Sequence, residues 1–303
     1  MNTLRLVLAF GLLAWPATMW SVIGRSRRPG FWARLILVSL TAGFVLLLIA
    51  LAHEVLPEGL LLGGHESAAE MCLRIGGHFL AGLPGGSWVA AGLFALVVVG
   101  GIRGVAQAHR RWRTLHVEPV VGTHLALGGG EMVVLPTRRH LAVGVPGTPR
   151  QVIVSQSVVE RLRPAQLAGL LRHETAHLEL GHHRFLTAAA AVDGALGRLR
   201  PIRRGVDALR LSLERWADEE AAGDSRGRRE ALRGAMMALG AEGGRQIWDT
   251  DFAVPRLRAL TRPGPLGAGD VWWWLALGAG ISVTFASLTG TLWMHLARLA
   301  AGG

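Results

Sequence analysis

The sequence predicts a polytopic α-helical membrane protein with an α+β domain inserted ahead of its last span. Three observations predict it. Half of the 303 residues are hydrophobic and only 17% are charged, which is too apolar for an ordinary soluble protein. Four uncharged apolar stretches are each long enough to cross a hydrocarbon core of about 30 Å at about 1.5 Å per residue. Between the third and fourth of them the pattern changes to short strands and then to helices. The formal charge of +11 comes from arginine alone, because the chain has no lysine. In a membrane protein such arginines crowd the cytoplasmic flanks, so no direct contact with nucleic acid is expected.

The apolar stretches run about Leu6–Gly24, Leu35–Ala52, Phe79–Ile102 and Val271–Met294. The first is longer than the apolar run of a signal peptide and lacks a clean small-residue cleavage site. Arg25, Arg27 and Arg28 follow it instead, as suits a retained span. Trp20, Trp32, Trp272 to Trp274 and Trp293 stand near span ends, where indole rings favour the membrane interface. Arg34 joins the basic loop after the first span; Arg103, Arg110, Arg111 and Arg113 follow the third; Arg256, Arg258 and Arg262 precede the fourth. The remaining loop holds Glu54, Glu58, Glu66 and Glu70 against Arg74. All three basic flanks fall on one side, which the positive-inside rule makes cytoplasmic. The expected organisation is three spans within 1–102, a cytoplasmic domain over 103–270, a fourth span at 271–294 and a short outer tail over 295–303. Both termini then lie outside a cytoplasmic membrane, and the domain lies inside.

That domain opens with strand patterns at Glu131–Leu135, His140–Val145 and Gln151–Ser155, parted by turns at Gly128–Gly130 and Pro146-Gly147. Helical patterns follow at Val158–Leu162, from Pro164 onward, and at roughly His183–Leu196, Val206–Ala222 and Arg228–Leu239. Pro164 is tolerated in a first helical turn. Leu167, Leu170, Leu171 and Leu178 give its helix an apolar stripe.

The helix from Pro164 carries His173-Glu174-Thr175-Ala176-His177, an HExxH motif. Residues four apart share a helix face, so both imidazoles can reach one ion. With a single cysteine, Cys72, no internal disulfide or thiolate cluster is possible, and a metal must be held by His and carboxylates. Zinc suits that donor set, and a catalytic zinc keeps one position open for water. Glu174, beside the pair, can take a proton from that water. Downstream, Glu214-Arg215-Trp216-Ala217-Asp218 lies in a helical pattern with Glu214 and Asp218 on one face. Glu214 can be a third ligand, and Asp218 can accept a hydrogen bond from a ligating histidine and fix its tautomer. Glu219 and Glu220 read as a solvated acidic face. Two surface histidines beside a carboxylate is the bland reading of the first motif; the second motif, in the same domain, argues against it.

At these residues the chain resembles the integral-membrane gluzincins of the BlaR/MecR antirepressor type, in a short form without their penicillin-binding sensor domain. HExxH followed by ExxAD, after three spans and before a fourth, carries the resemblance. Val145-Pro146-Gly147, Val154-Ser155 and the run His182-His183-Arg184 add to it. It covers nearly the whole chain in topology but only about residues 140–222 in sequence. It implies an inserted α+β zincin domain of the minigluzincin kind, Zn2+ held by His173, His177 and Glu214, and Glu174 as base. HtpX and CAAX-type membrane peptidases share both motifs with a different order of spans. Two departures stand out. Beyond the last span only 295–303 remain, so sensing of β-lactams by acylation is not expected. The chain also has no tyrosine, leaving His182, His183, an arginine or zinc alone to stabilise an oxyanion.

The expected function is a membrane-embedded zinc endopeptidase that cleaves a cytoplasmic or membrane protein. A winged-helix repressor in a signal-transduction pathway is the substrate that the resemblance suggests. Its substrate is expected to lie along an edge strand, with Gln151–Ser155 as the candidate. Partners are that protein substrate, the lipid bilayer and possible copies of the chain itself in a homo-oligomer. The alternatives are an HtpX/CAAX-type quality-control or processing protease and, in another class, a non-proteolytic signalling protein braced by a structural zinc. A transporter is disfavoured because no span has an interior charge. His53, His65 and His78 read as interfacial histidines, Cys72 as a free thiol, and Arg198–Arg204 as either a solvated loop or a contact for lipid or acidic substrate.

Overall fold

The computed structural model describes residues 2–62, 64, 85–115, 122–127, 130–240 and 250–261. The expected fourth span, the outer tail, Arg262, Cys72, His65, His78, Trp272 to Trp274 and Trp293 lie outside the described residues. Two compact units share the chain, one from residues 2–13 and the described part of 38–96, the other from residues 14–37 and the described part of 97–261. Among the described residues four α-helices precede the sheet: α1 (Asn2–Ala14), α2 (Trp20–Ile23), α3 (Pro29–Leu62) and α4 (Gly86–Leu115).

The first expected span is not one helix. Helix α1 stops at Ala14, Pro16 lies in a 3-10 turn over Trp15–Thr18, and only then does α2 begin. Proline removes a backbone donor and clashes with the preceding turn, so the helix cannot run on to Gly24. The 13 residues of α1 extend only about 20 Å at about 1.5 Å each. Among the described residues, two helices are long and apolar enough to cross a membrane, Pro29–Val55 and Gly86–Leu115. They hold the expected second span and the described part of the third, and they suggest membrane association. Within the first unit, the Ser39 hydroxyl donates to the Leu12 carbonyl at 2.7 Å, and Gly43 sits against the Ala9 carbonyl. These contacts bring α1 close against α3.

The second unit is built on four strands: β1 (Thr123–Leu127), β2 (Gly130–Leu135), β3 (Ala142–Val145) and β4 (Arg150–Ser155), in the order β1-β2-β4-β3. Strands β1 and β2 form an antiparallel hairpin, β2 and β4 run parallel, and β3 pairs antiparallel with β4 from Ala142↔Val154 to Val145↔Gln151. The sheet has one strand more than the sequence suggests, β1, whose THLAL run alternates too briefly to stand out. Strand β4 is bonded on both sides, so Gln151–Ser155 is not an edge; among the described strands the edges are β1 and β3, and β3 is the one bonded to the HExxH helix. That correction follows from the register. The near-unbroken burial of β4 is what a central strand covered on both faces requires.

Helices follow in order: α5 (Gln156–Arg161), α6 (Pro164–Glu179), α7 (His182–Leu196), α8 (Arg200–Ala222), α9 (Arg226–Gly240) and α10 (Thr250–Thr261). Val152 and Val154 pack on the α6 and α9 side with Leu170, Leu232 and Met236. Ile153 points to the opposite face with Val133 and Val145. Helix α8 is buried along much of its length, including Val206, Leu209, Leu213, Ala217 and Ala221, and takes its place between α6 and the segment before α3. There Arg215, 1% exposed, donates to the carbonyls of Ile23 at 3.2 Å, Gly24 at 2.7 Å and Ser26 at 2.9 Å. The Ile23 carbonyl also accepts the Ser26 N–H at 3.3 Å, and the buried guanidinium gathers the three carbonyls at and just beyond the end of α2. Arg34 stacks 4.5 Å above Trp216; expected in the basic loop after the first span, it lies instead in the first turns of α3 and is engaged by α8.

Candidate metal centre

Helix α6 begins at Pro164, where the missing N–H costs nothing, and the Arg163 N–H is met by Gln166 Oε1 at 3.1 Å. Its inward face includes Leu170, His173, Glu174 and Leu178. The helix ends at Gly181, whose φ of 66° is the left-handed conformation that glycine adopts without penalty. That turn brings the start of α7 back beneath the last turn of α6.

His173 and His177 lie one turn apart, with their Nε2 atoms 3.1 Å from each other. From α8, Glu214 presents Oε2 at 3.5 Å from His173 Nε2 and Oε1 at 3.5 Å from His177 Nε2. One ligand atom from each residue can be chosen so that all lie within 4.8 Å. Donors placed around one tetrahedral zinc at 2.0–2.2 Å stand roughly 3.3–3.6 Å apart; the two imidazoles and the nearer Glu214 oxygen facing each of them approach that spacing. Among the described residues this is the one group of three or more such side chains.

The outer nitrogens of both imidazoles are also taken up. His173 Nδ1 faces Asp218 Oδ1 at 3.1 Å, and His177 Nδ1 faces His182 Nδ1 at 2.8 Å. If His177 Nε2 holds a metal, its proton sits on Nδ1 and is donated to His182, whose own proton must then be on Nε2. His182 is 1% exposed, stacks 5.2 Å from the Trp216 ring, and its Nε2 is buried without a partner. It therefore stands behind a ligand, away from the side on which a substrate carbonyl would lie. His183 points elsewhere, with its ring edge on Trp112 at 6.3 Å.

Glu174 is 8% exposed and accepts the Gly144 N–H of strand β3 through Oε2 at 2.9 Å. The close approach demands glycine there: a Cβ on Gly144 would sit 2.8 Å from the Glu174 carbonyl oxygen and 3.0 Å from Leu178 Cγ. The motif helix is thus pinned to the edge strand through its own carboxylate.

Arg256 from α10 is the residue that sequence reasoning missed. It was expected among the basic flank of a fourth span, yet it is 2% exposed. Its Nε and Nη2 donate to Asp218 at 2.8 and 2.7 Å, and Nη1 reaches Glu214 Oε2 at 2.6 Å. Glu219 is a second difference: it is no free surface acid but receives Arg215 at 3.1 Å and Arg229 at 2.6 Å.

The electrostatics follow from these pairs. Burial alone would raise the Glu214 and Asp218 carboxyls, but Arg256 overrides it and holds both below the usual carboxylate range. Burial would lower His173, yet its bonds to Asp218 and Glu214 raise it to about 9. His177 is lowered, chiefly by burial. Burial and then the neighbouring His177 push His182 down to about 3, which keeps it neutral.

Two imidazoles from one helix and a carboxylate from another can hold one metal ion, with a further carboxylate beside them. Comparison with known families points the same way: residues 141–197 match peptidase family M48, a span that takes in β3, the HExxH helix and α7 to just past its end. That match supports a zinc metallopeptidase of the membrane type. No curated protein and no solved structure matches the chain.

Proposed function

We propose that the chain is a zinc-dependent endopeptidase, with His173, His177 and Glu214 as the ligands. The observation that carries it is the convergence of three side chains from two separate helices, with one ligand atom from each lying within 4.8 Å of the others. A structural zinc normally has four protein ligands, and only three donors converge among the described residues, which favours catalysis over bracing. Bound there, zinc supplies Lewis acidity, acidifying a water and sharing the charge of a carbonyl oxygen. The chain's own residues do the rest. Glu174 has Oε2 committed to Gly144, so Oε1 is the oxygen that takes the water's proton and returns it to the leaving amine. Asp218 and His182 hold the outer nitrogens of the two imidazoles and so keep Nε2 of each aimed at the metal. In this reading His182 is a positioning residue for His177, not an oxyanion donor.

The substrate backbone runs beside β3, the edge strand bonded to the HExxH helix, as an added strand. A cytoplasmic or membrane protein is the substrate class that fits. Cleavage of a winged-helix repressor in a signalling pathway is the reading suggested by the resemblance to BlaR/MecR antirepressors. A quality-control protease of the HtpX type is the second reading, favoured by the match to family M48.

Metal analysis and peptidase assay of three proteins test the core of this. Wild type should bind one zinc and cleave, Glu174→Gln should bind zinc without cleaving, and Glu214→Ala should lose both. Full activity in Glu174→Gln protein with zinc bound would overturn the mechanism. Trapping partners on the same variant then separates a repressor from damaged membrane proteins.

A further inference from the structure

Beyond the carboxyl end of α6, two adjoining cavities of about 440 and 830 Å3 share Pro146, Gly147, His183 and Arg184 and make one groove. Leu178, next to His177, lines its near end, and the turn after edge strand β3 forms one bank. The far bank is α4, with Trp112. The groove therefore leads away from the centre along the line that a bound chain would follow past β3.

Its charges are one-sided. Arg150 lines the smaller cavity, Arg113 the larger and Arg184 both, against Glu179. All three guanidinium groups are exposed, and none has a carboxylate within ion-pair distance among the described residues. His183 adds a buried Nδ1 with no hydrogen-bond partner. Burial, and then Arg184 and Arg150, push its imidazole down. Three cations facing one groove repel each other until an anion enters, and a guanidinium pairs with a carboxylate through two parallel hydrogen bonds. The indole of Trp112 and the ring of Phe185 line apolar parts of the same groove, which suits an extended peptide better than a compact headgroup.

We infer that this groove receives the substrate segment flanking the scissile bond, and that Arg113, Arg150 and Arg184 select segments carrying aspartate or glutamate side chains. The inference rests on the peptidase reading, so its test includes binding as well as cleavage. The zinc-loaded full chain, in nanodiscs of phosphatidylcholine, is assayed on matched peptides that differ only by Glu for Gln or Asp for Asn. Acidic peptides should be cleaved with kcat/KM at least about tenfold higher, the size of one charge-assisted contact. In the Arg150→Glu/Arg184→Glu protein that ratio should fall to one or invert. Separately, a fluorescein-labelled peptide with glutamate at every third position should bind Glu174→Gln protein more tightly than its glutamine twin. Raising the salt should weaken that difference.

Acidic-peptide binding that depends on both arginines, without any cleavage by wild type, supports the groove and sinks the peptidase reading instead. Cleavage or binding with equal preference for both peptides overturns the inference and leaves the peptidase standing. It is also overturned if phosphatidylglycerol added to the nanodiscs displaces the peptide, since the groove is then a headgroup site.

Discussion

Asp218 holds two partners that cannot both do without it: Arg256 at 2.7 and 2.8 Å and His173 at 3.1 Å. Replacing it by alanine takes two hydrogen bonds from the buried Arg256 guanidinium while Glu214 still holds Nη1, which costs about 1–3 kcal/mol, and releases the His173 ring, which costs about 10–100-fold in metal affinity. Thermal melting with and without zinc reads the first loss, and competition with a chelating dye reads the second. The raised His173 gives a pH signature. In metal-free protein its pKa of about 9 lies above the ordinary 6.5, so its contribution to stability is complete below pH 6.5 and disappears as pH rises through 9. Metal binding runs the other way, because the proton must leave. Apparent zinc affinity should climb about tenfold per pH unit between 6 and 8 with one proton released, as calorimetry in buffers of different ionisation enthalpy would show. The HExxH and ExxAD residues were legible in the sequence because their spacings are local and set by one helix each. Arg256 was not: its role comes from the meeting of α10 with α8, and in sequence it is one arginine in a basic run. Pro255 just before it, amid Val254, Leu257 and Leu260, was the available hint that the run is a packed helix and not a flank.

Among the elements, the contact of α6 with β3 leaves no room for change. Gly144→Ala puts a methyl into the Glu174 carbonyl and should cost about 1–3 kcal/mol by overpacking. It should also lower kcat more than it raises KM, since it shifts the carboxylate that moves the proton; steady-state kinetics on one peptide check this. Most helices were readable from their apolar period, within a few residues at their ends. Strand β1 escaped because it is short, although its hairpin partner β2 follows directly, and helix α10 because its contact with α8 is distant in sequence. The parallel pairing of β2 with β4 was equally hidden, and with it which strands form the edges. Pro16 is different. The break it makes after α1 was visible as a residue but was outweighed by the hydropathy around it.

At the scale of the whole molecule, the compact unit holding the centre takes in residues 14–37 as well as the described part of 97–261. A fragment cut to 103–270 therefore lacks the carbonyls that Arg215 meets. Arg215→Met in the full chain should mimic part of that loss, costing about 2–4 kcal/mol through unsatisfied buried groups. Its melting temperature should drop while metal content at low temperature stays near one. The fragment itself should melt lower than the full chain under the same conditions.

The clasp of Arg215 on Ile23 joins positions 192 residues apart, and that separation is also an interval of time. At roughly 5–20 residues per second of synthesis, the early segment waits on the order of 10–40 s for the arginine that closes it, and longer for Arg256. The third candidate ligand, Glu214, is made just before Arg215, so chain order alone keeps the candidate centre incomplete while the earlier part is being synthesised.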